Sequence, residues 1–539
     1  MELDAVVLGT GLSESIVAAA LSKAGYKIAH VDINPYYGGD EASLTLDELL
    51  QWAKERAESS VDSDSAYLSS QRERFTNISY TGSLPLQSRQ YAVSLLPMLV
   101  PSAGPTIDSL IASGVSRYGG FKLLEKVALF DSPGVVKPVP GNKEDVFKNK
   151  QLSLLGKRRL MRFLMFAGGE FEDKPELQGS EQMPFTDFLK DKFSLKEEAV
   201  QAIAYALAFC ALASDPTLPA LERIRRYLRS SGRYGPSPFL VGHYGGAGEI
   251  AQGFCRTAAV AGATYVLGRQ VSSIVTAPIA EKTTGKYTLN LEDLSEQLRC
   301  DLLISSPDHL PLDLQGDSSI TTASTNCSFA RCIAVIDRPV SFSTSESLEG
   351  SGGEDPASDM PIQDLSVDTA LLVFSPSSIP IGSSTVAVNV LITGEGSMSA
   401  PRGRWILYIT MPLLGDQSGG SHSPEELLRP YLDATLSLTR TSEHPESALP
   451  LVTLFYEQSP REGPENNSTE ASLMLSTPPH SRYLPEVADS AARNAEVTFW
   501  RALEVLKSAG RLPGDKNSEE AVENFWPPLE YVNGEDDEW

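Results

Sequence analysis

The segment VVLGTGLSES (residues 6–15) constrains the fold of this chain more than any other feature. A short apolar run over residues 3–8 predicts a buried strand, the apolar periodicity over 12–24 predicts a helix, and a second apolar run over 27–32 predicts another strand. A strand, a helix and a strand in this order form the βαβ unit of a parallel sheet. The sequence therefore predicts an α/β fold of the Rossmann type.

The turn between the first strand and the helix departs from the dinucleotide-binding pattern at its third position. Gly9 and Gly11 are present, but Glu14 stands where the third glycine of G-x-G-x-x-G belongs. A carboxylate in the first helical turn interacts with the helix dipole and repels phosphate, although Glu14 can equally be an ordinary first-turn acid. Asp32 lies where such folds place the acid that holds the ribose. We expect a degenerate site with no bound cofactor, and a flavin-dependent oxidoreductase is the distant alternative.

Composition excludes several classes of function. The chain has 45 basic and 70 acidic residues and a net charge of −25, which disfavours binding to nucleic acid or to anionic membrane. Its five cysteines and six histidines show no zinc-ligand spacing, and no Ser-His-Asp arrangement is evident, so we expect no metal site and no catalytic residues. The cysteine pattern favours a reducing, cytosolic compartment.

The length of 539 residues predicts more than one domain. Strand patterns vanish from about residue 145 to 231, where amphipathic helical stretches follow one another. We therefore predict a discontinuous α/β domain of residues 1–140 and 232–539, with an inserted helical domain of residues 141–231. Strand patterns after the insertion lie at 262–275, 299–306, 329–337, 370–375, 384–392 and 404–410.

Three segments have the composition of loops. Residues 342–361 and 457–470 are rich in Ser, Gly, Pro and acidic residues, which cannot support packing, and are predicted to be flexible. The Ser-rich stretch 58–70 is predicted to be a surface insertion after a helix over about 45–58.

The segment GEIAQGFCR (residues 248–256) predicts a helix with a polar face. Glu249 and Arg256 are seven residues apart, two helical turns, and share that face with Gln252. A contact surface and a solvated helix face with a capping glutamate both fit this spacing. The residues predicted to pack inward are Ile250, Phe254 and Thr257.

Four separated motifs, LGTGLSES, VDINPYYGGD, GRYGPSPFL and YGGAGEIAQGFCRTAAVAGATYVL, together resemble the family of Rab GDP-dissociation inhibitors and Rab escort proteins. The resemblance covers most of residues 1–275 and is diffuse after about residue 310. It implies a flavoprotein-like (FAD/NAD(P)-binding Rossmann-type) fold in a protein that binds Rab GTPases and is not a flavoenzyme. The residues that it implies for the Rab-binding platform are Tyr37, Glu249, Gln252, Arg256, Arg233 and Tyr244.

The stretch DVFKNKQLSLLGKRRLMRFLMF (residues 145–166) resembles the escort branch of the family more closely than the inhibitors. The resemblance implies that Phe147 and Arg158 contact the α subunit of Rab geranylgeranyltransferase. On one continuous helix the two would face the same way, although Gly156 weakens that assumption. Alternatively, Phe147 is a core residue and the basic residues of this stretch form a solvated face.

The resemblance implies a non-catalytic escort. Such a protein binds GDP-bound, unprenylated Rab GTPases, presents them to the α/β heterodimer of the transferase, shields the geranylgeranyl lipid and delivers the Rab to a membrane. It is cytosolic, associates only transiently with membranes and has no nucleic acid partner. The nearer alternative is a Rab GDP-dissociation inhibitor, which recycles prenylated Rab and lacks the transferase contact.

Overall fold

The structure is a computed structural model. It describes residues 1–58, 65–82, 85, 87–139, 153–277, 285–310, 314, 328–343, 366–414, 422–459, 472–476, 480–513 and 522–528. The α-helices are α1 (Leu12–Lys23), α2 (Leu46–Ala57), α3 (Ala66–Arg74), α4 (Pro105–Ser113), α5 (Leu154–Gly168), α6 (Phe185–Phe193), α7 (Glu197–Gln201), α8 (Thr217–Ser230), α9 (Ala247–Val260), α10 (Pro424–Ser437) and α11 (Glu486–Ser508). A π-helical segment, Ala202–Leu207, continues α7.

The strands are short and belong to several sheets. They are β1 (Ala5–Leu8), β2 (Ile28–Asp32), β3 (Ser43–Leu44), β4 (Phe75–Gly82), β5 (Val93–Ser94), β6 (Val100–Pro101), β7 (Phe121–Leu123), β8 (Lys126–Ser132), β9 (Val135–Pro138), β10 (Phe239–Gly242), β11 (Thr264–Leu267), β12 (Val271–Thr276), β13 (Tyr287–Leu291), β14 (Leu298–Cys300), β15 (Leu302–Ser305), β16 (Phe329–Ile336), β17 (Val340–Ser341), β18 (Ser366–Val367), β19 (Ala370–Phe374), β20 (Val388–Thr393), β21 (Trp405–Pro412), β22 (Val452–Gln458) and β23 (Leu473–Leu475).

The N-terminal βαβ unit forms the middle of a five-stranded parallel sheet, ordered β11-β2-β1-β15-β23. The predicted strand–helix–strand unit is confirmed, with β1, α1 and β2 within two residues of the predicted bounds. Helix α1 is buried from Leu12 to Ser22. Its run of alanines, Ala18–Ala20, leaves little side-chain bulk between α1 and the helices beside it.

Helices α9 and α11 both pack against α1 and share one hydrophobic cluster with it. The inward face of α11 is built largely from alanines at helical spacing: Ala488, Ala491, Ala492 and Ala495. This helix was not identified from the sequence.

The second large sheet has eight strands in the order β4-β22-β16-β21-β20-β19-β8-β9, antiparallel except for the pair β8 and β19. One face packs against the helices of residues 154–230 and the other against α10. The predicted strands at 329–337, 370–375, 384–392 and 404–410 are confirmed as β16, β19, β20 and β21.

The loop predictions for residues 342–361 and 457–470 are wrong at the first residues of each segment. Glu457 and Gln458 end strand β22, and both are buried. Their side chains are satisfied there, because Asn77 donates to Glu457 (3.2 Å) and Arg331 donates to Gln458. Phe342 is 5% exposed and belongs to the core beneath α10. Residues 344–361 and 460–470 lie outside the described residues.

The Ser-rich stretch 58–70 is only partly the predicted surface insertion. Helix α3 begins at Ala66 after Ser65, whose side chain accepts a hydrogen bond from the Leu68 N–H (3.2 Å). Gln71 and Arg74, at the end of the helix, are buried. Residues 59–64 lie outside the described part of the chain.

Between residues 153 and 238 the structure has helices α5–α8 and no strand. The fold is therefore an α/β fold with a helical insertion, as predicted. The insertion does not have a separate core: Phe163, Phe185 and Phe188 share one hydrophobic cluster with the eight-stranded sheet. The domain boundaries at 140/141 and 231/232 stay a prediction. In the parts of the chain that the structure describes, no helix has both the length and the apolar character needed to cross a bilayer.

A C-terminal strap, residues 522–528, lies against the helices of the parallel sheet. Phe525 packs against Phe499 of α11 with ring centroids 5.1 Å apart, and Trp526 stacks on Phe254 of α9 at 5.8 Å. The strap therefore covers the inner side of the helix that carries Glu249 and Arg256.

We predict that Trp526→Ala lowers the free energy of unfolding by about 1–2 kcal/mol, because it removes a half-buried ring that packs on Phe254. Leu512→Ala, which truncates a side chain that is 68% exposed, is the matched control and should change stability by less than about 0.5 kcal/mol. Thermal or denaturant unfolding measures both. Equal stability of the two variants would show that the strap does not contribute to the fold.

Candidate functional site

The glycine turn after β1 is closed by side chains of the protein. Gly9 has a φ of +93°, and a Cβ there would lie 2.7 Å from the Ser306 Oγ. A Cβ on Gly11 would collide with the Glu14 carboxyl group and approach the Glu41 Oε2 to 3.0 Å. The space in front of the first turn of α1 is therefore filled by two carboxyl groups.

Glu14 and Glu41 are both buried beside this turn. The Leu12 N–H donates to the Glu41 Oε2 (2.8 Å), and the Ser476 hydroxyl donates to the Glu14 carboxyl group. Burial raises the pKa of Glu14 to about 7, and burial together with the charges of Asp40 and Glu14 raises the pKa of Glu41 well above its usual range. Glu14 lies in the first turn of α1, as predicted, but it is not a permanently charged group there.

Asp32, the candidate ribose acid, is fully engaged within the protein. Its Oδ2 accepts from the Thr10 N–H (2.7 Å) and hydroxyl (2.6 Å), and its Oδ1 accepts from the Asn34 N–H (2.8 Å) and side-chain amide (2.9 Å). The His309 Nε2 lies 3.1 Å from the Asp32 Oδ1. Burial alone would raise the pKa of Asp32, but His309 and these hydrogen bonds outweigh it, and the pKa is lowered.

The flavoprotein-like fold implies a flavin dinucleotide, and these residues do not fit one. The first helical N–H and the ribose acid both pair with the protein's own side chains, and a pyrophosphate at this turn would meet two carboxyl groups.

The structure also forms a Ser-His-Asp chain that the sequence did not suggest. The Ser306 Oγ lies 2.6 Å from the His309 Nδ1, and the His309 Nε2 faces Asp32. The chain lies under the glycine turn, where a Cβ on Gly9 would contact both Ser306 and His309. These three side chains therefore pair with one another at the end of the sheet, beneath the glycine turn.

We predict that Glu14→Gln changes the pH dependence of stability. The folded parent holds a proton on Glu14 that the unfolded chain releases above about pH 4.5, so parent stability falls as the pH rises toward 7 and then levels off. Glutamine is always neutral and keeps an acceptor for Ser476. Relative to the parent, the variant should gain about 2–3 kcal/mol between pH 5 and pH 8, measured by denaturant titration. Parallel pH profiles would contradict a buried, protonated Glu14.

Helix α9 begins where the sequence predicts and is fixed by close backbone contacts. A Cβ on Gly38 would lie 3.2 Å from the Gly248 Cα, and a Cβ on Gly248 would collide with the backbone of Ser43. The loop after β2 therefore packs directly on the first turn of α9.

Glu249, Gln252 and Arg256 line one open groove, together with Tyr118 and His243. Gln252 and Arg256 are exposed and Glu249 is half-buried. Ile250, Phe254 and Thr257 are buried, as the helical spacing predicts.

In the described part of the chain, the groove carries two charged groups of opposite sign that form no ion pair. Within the described ranges, no carboxylate pairs with Arg256 and no cation pairs with Glu249. The Arg256 Cζ lies 4.5 Å from the centroid of the Tyr118 ring. Burial raises the pKa of Glu249. An unpaired acid and an unpaired guanidinium on one exposed face suit the binding of another protein, since Arg donors and a carboxylate can each find a counterpart there.

The other predicted platform residues lie at different distances from the groove. Tyr37 is half-buried next to Gly38, at the start of α9, and its ring meets the Tyr265 ring edge-on at 6.1 Å. Tyr244 follows the groove residue His243, is 48% exposed and donates its N–H to the Ser397 carbonyl (3.1 Å).

Arg233 does not line the groove. Its Nη1 donates to the Ser102 carbonyl (2.9 Å) near the start of α4. Tyr118 was not identified from the sequence as a groove residue. The one sequence feature that marks it is its position between Arg117 and the pair Gly119 and Gly120.

On the helical insertion, Phe147 lies outside the described residues, whereas Arg158 is exposed on α5. Helix α5 begins at Leu154, so a face shared with Phe147 on one continuous helix does not follow. Ser153 has extended backbone angles and caps the helix, because its Oγ accepts from the Gly156 N–H (3.1 Å).

Arg158 shares its helix face with exposed apolar side chains. Leu154 is 88% exposed and Met165 is 68% exposed, and residues 154, 158 and 165 follow helical spacing. Two other basic residues of α5 are engaged within the insertion: Arg159 donates to the Ser194 carbonyl (2.9 Å) and Arg162 pairs with Glu176 (3.1 Å). We call Leu154, Arg158 and Met165 the α5 face.

Comparisons with known proteins agree on one family. A family model described as GDP dissociation inhibitor matches residues 1–349. The Saccharomyces cerevisiae protein named Rab proteins geranylgeranyltransferase component A is 30% identical over 451 residues, covering 79% of this chain and 68% of that protein. Relatives of the same name from Candida albicans and Drosophila melanogaster match over 58% and 60% of their own length.

Two solved structures share the fold. A Rab GDI from Plasmodium falciparum has a TM-score of 0.60 at 18% identity, covering 93% of this chain and 98% of that one. An oxidoreductase from Methanosarcina mazei has a TM-score of 0.54 at 15% identity, covering 92% and 100%. At these identities the likeness concerns the fold alone, and it confirms the predicted flavoprotein-like architecture.

Proposed function

This chain belongs to the GDP dissociation inhibitor family, and from that premise we propose that it is a Rab escort protein, the accessory component of Rab geranylgeranyltransferase. It would bind newly made, GDP-bound Rab GTPases, present them to the α/β heterodimer of the transferase and deliver the prenylated Rab to a membrane. The names of its relatives support the escort branch over the dissociation inhibitors.

The observation that carries the Rab-binding part is the groove along α9. Among the described residues, neither Glu249 nor Arg256 has an ion-pair partner, and both lie on the outer face of a helix whose inner face is buried. Uncompensated charges on a rigid helix are typical of an interface whose other half supplies the counter-charges.

The chemistry of prenylation would belong to the transferase. In the described part of the chain, no cluster of three His, Cys, Asp or Glu residues could hold a metal ion. The helical insertion would face the transferase and the geranylgeranyl lipid. We place the protein in the cytosol, with transient membrane contact during delivery.

We predict that Arg256→Glu weakens the binding of a GDP-bound Rab by at least about 2 kcal/mol, or roughly thirtyfold in Kd, because it removes the donors and adds a repulsive charge. The control is Arg501→Glu, the same charge change on the exposed side of α11. Calorimetry measures binding, and the melting temperature of both variants should match the parent. A variant that unfolds would show that Arg256 is structural.

On this proposal the α5 face would carry the transferase contact that separates an escort protein from a dissociation inhibitor. Exposed apolar side chains flanking an arginine are the composition expected of a protein interface. We propose that the α subunit of the transferase docks here. The corresponding role of Phe147 stays a prediction.

We predict that Arg158→Glu weakens the complex with the transferase by about 2 kcal/mol and leaves Rab binding unchanged, because the α5 face and the α9 groove lie on different helices. Prenylation of Rab at limiting protein concentrations should fall in parallel. Arg501→Glu again serves as the control. Full transferase binding and normal prenylation with Arg158→Glu would show that the transferase contact lies outside the α5 face, whereas a parent protein that binds no transferase would favour the dissociation inhibitor.

A further inference from the structure

Tyr118 is held in a fixed position relative to Arg256. It follows the 3₁₀ turn Val115–Arg117, and its N–H donates to the Val115 carbonyl (2.9 Å). The same turn is pressed against α9, because a Cβ on Gly253 would lie 2.8 Å from the Val115 Cγ1. Gly253 is one helical turn before Arg256, so this close approach brings the turn that carries Tyr118 next to the arginine.

The ring and the guanidinium group interact although both are accessible. Tyr118 is 54% exposed, Arg256 is exposed, and the Cζ lies 4.5 Å from the ring centroid, within the range of a cation–π contact. A ring satisfies the face of a guanidinium group but not its N–H donors. Across the described residues none of those donors has a carboxylate partner, so the donors stay available for one.

We propose that Tyr118 is a positioning residue of the α9 groove: its ring holds the Arg256 guanidinium group so that it receives a carboxylate side chain of the bound Rab. This inference rests on the proposed Rab-binding function and names the chemistry that Arg256 recognises. An unconstrained arginine loses side-chain entropy when it forms a bidentate pair, and a stacked one has already lost part of it.

The test compares the binding of a purified, GDP-loaded Rab GTPase to the full chain and to four variants. Tyr118→Leu removes the ring, and Tyr118→Phe keeps it without the hydroxyl. Arg256→Ala removes the arginine, and Tyr118→Leu with Arg256→Ala completes a double-mutant cycle. The matched control is Tyr80→Leu, the same exchange at a tyrosine that is 42% exposed on β4.

We expect Tyr118→Leu to weaken binding about fivefold to tenfold and Tyr118→Phe to stay within about twofold of the parent, because phenylalanine also makes a cation–π contact. In the Arg256→Ala background, Tyr118→Leu should change the Kd by less than about twofold, because no guanidinium group remains to be positioned. Tyr80→Leu should bind like the parent, and all variants should melt like the parent.

Three results would overturn the inference. Equal losses for Tyr118→Leu with and without Arg256 would mean that the ring contacts the Rab by itself. Equal losses for Tyr118→Phe and Tyr118→Leu would assign the effect to the hydroxyl, and no loss for Tyr118→Leu would remove the role altogether. If Arg256→Ala binds the Rab as tightly as the parent does, the proposal that the α9 groove binds the Rab fails. That conclusion does not depend on the results for the Tyr118 variants.

Discussion

The hydrogen bond from the Leu12 N–H to the Glu41 carboxyl group is the contact on which the rest of the structure depends. It places a side chain where related folds hold a phosphate, so the helix N-terminus is satisfied without a ligand. Glu41 belongs to the loop after β2, and that loop is tied to the glycine turn again by the Gly38 N–H, which donates to the Thr10 carbonyl and hydroxyl. The same loop packs on the first turn of α9 through Gly38 and Gly248. The loop that fills the phosphate position of related folds therefore also supports the helix that carries the groove.

Helix α9 is held on several sides, which suits a binding surface that must keep its shape. Helix α1 and its small residues lie beside it, the Val115 turn approaches it at Gly253, and Trp526 of the C-terminal strap stacks on Phe254. Side chains on a rigid element lose less freedom when they bind than side chains on a loop. The charged residues of the groove thus project from a helix that is packed against three other parts of the molecule.

Local sequence patterns predicted those parts of the fold that local chemistry determines. The βαβ unit, the inward positions of α9 and four strands of the large sheet follow from apolar periodicity, and the structure confirms them. The burial of Glu14 and Glu41 could not be predicted, because it depends on Ser476 and on a helix N-terminus distant in sequence.

Other features escaped prediction for similar reasons. Glu457 and Gln458 look like loop residues until Asn77 and Arg331 are known to face them. Tyr118 stands in a short turn, and only the fold brings it to Arg256.

The two candidate surfaces are built on different hydrophobic cores. The groove of α9 rests on the cluster around α1 and α11, whereas the α5 face belongs to helices whose apolar side chains pack on the eight-stranded sheet. A substitution that disturbs one core need not reach the other, because the effects of distant sites without shared partners are close to additive. An escort protein has to hold a Rab while it engages the transferase. Two surfaces with separate structural support would allow both proposed contacts to exist at once, and each could then be removed by mutation without the other.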